Sequence, residues 1–244
     1  MPRGKTSRGD PSAANILREL ARFRNPEQAA ILRRFFKTGP GEYGAGDEFW
    51  GLTVPQVRAV AARFPDISLE VADELLASPV HEVRFFALAA LVRAYAGGDG
   101  KRRAAIFDFY LSRTDRINNW DLVDASAPGI VGRHLPPGRG RRVLGRLAQS
   151  PRLWERRIAM VATLEHLRRG DLSNTFWLAE RLRGDPEDLM HKATGWMLRE
   201  AGKRDADALR KFLARRAPRL PRTLLRYAIE KFAPAERRAW RSAR

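Results

Sequence analysis

The sequence predicts an all-α fold: a curved α-solenoid of HEAT-like helical repeats, with about a dozen helices and no sheet. Three observations carry this reading. Arg84, Trp120, Arg157 and Lys192 recur at intervals of 36, 37 and 35 residues, the size of period at which helix pairs stack. Three helix-like segments open on one device, a capping residue followed by proline: SPVHEVRFFALAAL from Ser78, SPRLWERRIAMVATL from Ser150 and DPEDLMHKATGWML from Asp185. No segment alternates apolar and polar residues with β-branched enrichment, as a half-buried strand would. Equivalent positions of a solenoid share one surface, so the four periodic positions are expected to gather cations and indoles along a groove suited to nucleic acid.

The elements follow in order. Ser12 is placed to cap ANILRELARF. Asn25-Pro26 starts EQAAILRRFFK, with Asn as cap and Pro at the first helical position. Thr53 precedes VPQVRAVAARF and Ser68 precedes LEVADELLAS. Gly97-Gly98, Gly170, Gly184 and Gly202 read as helix stops. Pro221 opens RTLLRYAIEKF, and Pro234 opens a last short basic helix. The stretch Pro136 to Gly140 is short enough to be a turn between helices. No Pro-, Gly- or Ser-rich linker divides the chain, so residues 13–244 are expected to form one domain behind a disordered basic tail at residues 1–12.

The chain has 244 residues, 44% of them hydrophobic, enough to bury a substantial core. Lys plus Arg number 46 against 28 Asp plus Glu, a formal charge of +18. That excess favours a polyanionic partner, nucleic acid or an anionic membrane surface; the plainer reading is an arginine-rich solubility charge. With no cysteine, disulfides, thiolate metal sites and cysteine nucleophiles are excluded, and a reducing compartment is fitting. No apolar run approaches the length of a membrane span, and MPRGKTSRGD lacks the apolar stretch of a secretory signal.

The candidate chemistry centres on NNWDLVD, Asn118 to Asp124. Trp120 and Asp124 are four apart, one turn of one helical face. Lys192 and Trp196 repeat that step, with Arg157 between. The expected product is a concave patch of two indoles, one carboxylate and two cations. An acid on a phosphate-binding surface has two explanations. It may be a structural partner for Arg157 or Lys192, or it stabilises positive charge developing on a bound sugar. The loop TGPGEYGAGDEFWG, Thr38 to Gly51, carries five glycines between helices. It reads either as a mobile turn or as a flap presenting Tyr43, Phe49 and Trp50. His81, His134, His166 and His191 lack metal-ligand spacing and read as surface or capping residues. Trp50, Trp154, Trp177 and Trp240 read as packing residues.

NNWDLVD, LWERRIAM (Leu153 to Met160), KATGWMLRE (Lys192 to Glu200) and the segment from Arg33 to Arg58 together resemble the AlkD-type alkylpurine DNA glycosylases, over roughly Ile16 to Phe232. The resemblance implies the HEAT-like solenoid and excision of cationic N3- and N7-alkylated purines from double-stranded DNA. It implies no deep base-flipping pocket, no metal and no cofactor. It assigns Asp124 to the anomeric carbon, Trp120 and Trp196 to the deoxyribose and backbone, and Arg157 to a phosphate. Phe35, Lys37, Arg84, Lys192 and Arg199 complete the expected DNA-binding set, Phe35 standing where some members have tyrosine. A monomer in the bacterial cytoplasm, associated with the nucleoid, is expected. The alternatives are a non-catalytic solenoid that reads distorted or branched DNA by shape, and a scaffold that binds acidic peptides.

Overall fold

A computed structural model describes residues 11–138 and 140–242. Fourteen α-helices and no strand occur among the described residues; an isolated bridge joins Glu48 to Val80. The tail expected over residues 1–12 lies, apart from Pro11 and Ser12, outside the described residues. No helix among them is long and apolar enough to cross a membrane. The chain divides into two compact units, Met1–Ser126 and Ala127–Arg244.

The first unit holds α1 (Ala13–Ala21), α2 (Pro26–Phe35), α3 (Val54–Arg63), α4 (Leu69–Leu76), α5 (His81–Gly97), α6 (Gly100–Ser112) and α7 (Trp120–Ser126). Ser12, Asn25 and Ser68 cap α1, α2 and α4 through their side chains, and Gln56 reaches back to the Thr53 amide at 2.8 Å ahead of α3. Helix α5 is buried on nearly every side, because α3, α4, α6 and α7 all pack on it. Its apolar run HEVRFFALAALV therefore shows no amphipathic stripe, whereas α1 does.

The second unit holds α8 (Arg141–Ala148), α9 (Leu153–Arg168), α10 (Ser173–Arg181), α11 (Asp188–Arg204), α12 (Ala206–Arg216), α13 (Arg222–Ala228) and α14 (Pro234–Ser242). Here α9 and α11 are the central helices. A π-turn at Pro128–Gly132, α8 and α10 flank α9, while α12 and α13 flank α11. Gly195, the glycine of KATGWMLRE, lies where α13 crosses: a Cβ there would meet the Leu224 carbonyl at 2.5 Å. Gly202 does not stop a helix as expected; α11 runs through it to Arg204.

The three proline segments behave alike, though not as N-caps. Each helix begins three residues after its Ser or Asp, at His81, Leu153 and Asp188. The leading side chain instead accepts from the amide two residues on, at 3.1 Å in Ser78→Val80 and Ser150→Arg152 and 3.0 Å in Asp185→Glu187. Six residues after each, a long side chain folds back to close the turn. Arg84 donates to the Ser78 and Pro79 carbonyls, Arg156 to those of Ser150 and Pro151, and His191 Nε2 bonds the Asp185 carbonyl. The repeat is real, but its register runs through Arg84, Arg156 and His191. Arg157 and Lys192 stand one residue past it, about 100° further round their helices.

Gly51 sits at φ +85°, and a Cβ there would fall 2.1 Å from the Asn25 carbonyl and 2.7 Å from the Ala29 amide. Gly51→Ala is expected to destabilise the protein by about 3 kcal/mol, from left-handed strain plus backbone collision. Gly41→Ala, at φ +77° with nothing within 4 Å, should cost only about 1 kcal/mol. Chemical denaturation of the two variants compares these; equal losses would mean that the Gly51 contact is not formed.

Candidate functional site

Helix α7 begins at Trp120 because Asn119, fully buried, accepts the Trp120 amide on Oδ1 at 2.8 Å. Trp120 and Asp124 are then one turn apart on a helix packed against α5. The Trp120 indole stacks on Phe36 (centroids 5.4 Å, 22°) and meets the edge of Phe35 (5.9 Å, 73°). Phe36 stacks in turn on Phe49 of the glycine-rich loop, at 5.2 Å. Asp124 lies near the buried Tyr110. Burial pushes that phenol's pKa up, its bond to Ser126 opposes the rise, and the Asp124 charge adds to it.

Behind these rings lies a group of charges that sequence reasoning passed over. His81, expected at the surface, is 2% exposed. Its Nδ1 faces Asp47 of the loop at 3.2 Å and its Nε2 faces Asp121 of α7 at 2.8 Å. Arg84 pairs with the other Asp47 oxygen at 2.7 Å, and the Asn118 amide bridges Asp47 and Arg84 at 3.2 Å on each side. Burial alone would lower the His81 pKa; the hydrogen bonds to Asp121 and Asp47 outweigh it and raise the imidazole to about 8. Burial likewise opposes charge on Asp47, yet His81 and Arg84 hold its carboxyl below the usual range. A second carboxylate, Glu82, accepts the backbone amides of Trp50, Gly51 and Leu52 at 3.1, 2.7 and 3.1 Å. The glycine-rich segment is thus fastened at Asp47 and again at residues 50–52, which is neither the mobile turn nor the open flap that its composition allowed.

Together these elements enclose a recess of ≈ 480 Å³. Phe35, Phe36, Phe49, Phe85 and Trp120 line it, with Asp121 and Asp124 on the α7 side. The resemblance implied no deep base pocket; this cavity is large enough for a small planar ligand.

The remaining expected residues fare differently. Phe35 is 59% exposed at the recess. Lys37 is exposed at φ +53°, the left-handed position after α2, where the Lys37 and Thr38 amides return to the Arg34 and Arg33 carbonyls. Glycine usually fills that place, and lysine costs about 1 kcal/mol there. Arg84 is 5% exposed and committed to Asp47 and two carbonyls, so its expected DNA contact is replaced by a structural one. In the second unit, Arg157 is 5% exposed and donates to the Leu189 carbonyl at 2.6 Å. Lys192 pairs with Asp188 at 2.7 Å, and Arg199 pairs with Glu230, which draws it away from a free surface. Trp196 is half-buried beside Leu164, Leu167 and Arg168. His166, also expected outside, is fully buried between the Leu135 carbonyl and Asn174.

A family model for the DNA alkylation repair enzymes matches residues 16–232. No curated protein matches significantly. Among solved structures, a predicted DNA alkylation repair enzyme from Enterococcus faecalis is similar, with a TM-score of 0.66 and 18% identity, covering 86% of this chain and 97% of that one. At that identity the likeness speaks for the fold.

The His81 cluster has a pH signature. A folded pKa near 8 against about 6.5 unfolded means that the stabilisation is complete below pH 6.5 and lost as pH rises through 8. Unfolding free energy is expected to fall by about 2 kcal/mol between pH 6.5 and 9, and His81→Gln should flatten that slope. An imidazole NMR titration with a midpoint at or below 6.5 would contradict this.

Proposed function

The chain belongs to the DNA alkylation repair enzyme family, and from that premise we propose that it is a DNA glycosylase. Its substrates would be N3- and N7-alkylated purines in duplex DNA, and it would hydrolyse their glycosidic bond. The observation that carries this reading is the pairing of Trp120 and Asp124 on one turn of α7, at the wall of an aromatic recess, in a chain of charge +18.

The chemistry needs little from the protein. A purine alkylated at N3 or N7 is already cationic, so when the C1′–N9 bond breaks, its electron pair neutralises the base and no general acid is required. The sugar left behind becomes oxocarbenium-like. A carboxylate beside C1′ stabilises it, and stabilisation of charge that develops only in the transition state is the effective kind. Asp124 has this role. Water then adds to C1′ and passes its proton to Asp124 or solvent. The Trp120 face adds cation–π attraction of about 0.5–2 kcal/mol. Because the leaving base carries its own charge, catalysis itself does not demand that the base enter a pocket.

Duplex DNA is the partner that the family's name implies, and the excess of cations supports it. In this reading Phe35 and Lys37 of the first unit, and Trp196 and Lys192 of the second, contact the nucleotide or its backbone. Arg157 as phosphate ligand rests on the resemblance alone.

With N7-methylguanine in duplex DNA, Asp124→Asn is expected to lower single-turnover excision about 100-fold while DNA affinity changes less than about twofold. Release of free base and alkaline strand cleavage measure the first, a gel shift the second. Wild-type excision in the variant would remove Asp124 from catalysis. A gel shift with no strand breaks even for the wild type would leave a DNA-binding protein without this activity.

A further inference from the structure

The recess beside α7 is more selective than hydrolysis requires. Its walls are mostly aromatic, and the polar groups among them are biased. Glu82, Asp121 and Asp124 line it against His81 and Arg58, in a protein whose overall charge is +18. Glu82 is already satisfied by three backbone amides, and His81 is held between Asp47 and Asp121. Asp121 gives one oxygen, Oδ2, to His81; its Oδ1 is buried with no hydrogen-bond partner among the described residues. Buried polar atoms are nearly always paired, so an unmet carboxylate oxygen at a cavity wall points to a missing donor. The open side is made of side chains that are seldom left exposed: Phe35 is 59% exposed and Val54 42%. A phosphate would meet carboxylates and rings here. A flat cation bearing N–H groups would meet what it needs, ring faces for the charge and carboxylate oxygens for the donors.

We propose that this recess is a binding site for the alkylated base itself: a planar, cationic purine taken out of the duplex stack, lying against Phe35 and Trp120 with its N–H edge toward Asp121 and Asp124. The proposal rests on the glycosylase reading for its ligand class, not for its geometry. It adds a recognition step to that reading. Neutral purines, equal in shape, would gain the stacking without the charge, so the recess sorts damaged bases from intact ones before the sugar bond is strained.

The test uses 7-methylguanosine, which carries the cation without any DNA, and guanosine as its neutral counterpart. Calorimetric titration of the full chain at pH 6 is expected to show 7-methylguanosine binding about tenfold or more tightly than guanosine. Phe35→Ala, an exposed position that leaves the fold intact, should weaken 7-methylguanosine about tenfold. Asp121→Asn should bring the two nucleosides to within about twofold of each other, because the charge that discriminates them is gone. Equal affinity of the wild type for both nucleosides, no binding of either, or unchanged binding in Phe35→Ala would each overturn the proposal. Excision from methylated duplex, measured on the same preparations, keeps the two ideas apart. Excision without nucleoside binding removes the recess and leaves the glycosylase. Nucleoside binding without excision removes the glycosylase and leaves the recess.

Discussion

A carboxylate taken out of water must be compensated, and the compensation of Asp47 organises the first unit. The penalty for burying such an ion is several kcal/mol. Here it is offset by His81, Arg84 and Asn118 at once. Those partners belong to different parts of the chain. Asp47 sits in the glycine-rich loop, His81 and Arg84 in the first turn of α5, and Asn118 just ahead of α7. Through His81 the same network reaches Asp121 inside α7. Satisfying one buried acid therefore fixes the loop, α5 and α7 relative to each other. Trp120 and Asp124, which the proposed chemistry needs, ride on the last of these. Removing one partner would leave an unpaired buried charge, so the cluster behaves as a unit.

Glu82 does for the backbone what Asp47 does for side chains. Its two oxygens collect three consecutive amides at residues 50–52, groups that would otherwise be buried without acceptors. Gly51 is required there because its backbone passes within contact of the α2 amino end. Five glycines would make a free loop entropically costly to order. Two carboxylates, one gripping residue 47 and the other residues 50–52, supply the compensation, and Phe49 between them is delivered into the aromatic stack. The recess is thus walled by a segment that is rich in glycine yet tightly held.

Much of the architecture was legible in the chain. Ser12, Asn25 and Ser68 mark helix starts through side-chain caps that operate within three residues, and α5, α9 and α11 announce themselves as long apolar runs after a proline. Family resemblance was legible too, because NNWDLVD and KATGWMLRE are local patterns. The register of the repeat was not. Spacing alone aligned Arg84 with Arg157 and Lys192, whereas the hydrogen bonds align it with Arg156 and His191. A shift of one residue preserves an interval almost unchanged but rotates a side chain by about 100°, and intervals carry no information on that angle.

Charge was misread for a related reason. Arg84, His81 and His166 looked like surface residues because ionisable groups are mostly exposed; each is buried because a partner far along the sequence receives it. Local propensity, capping and apolar patterning are short-range, so the amino-acid sequence by itself determined that this protein is all-helical, where its helices lie, and that Trp120 and Asp124 share one face. Which charges are buried, how the glycine-rich segment is fastened, and that five aromatic rings close around two carboxylates were decided only by the tertiary structure. Those outcomes depend on pairings across 34, 40 and 71 residues, and no local pattern records which distant group will satisfy a buried one.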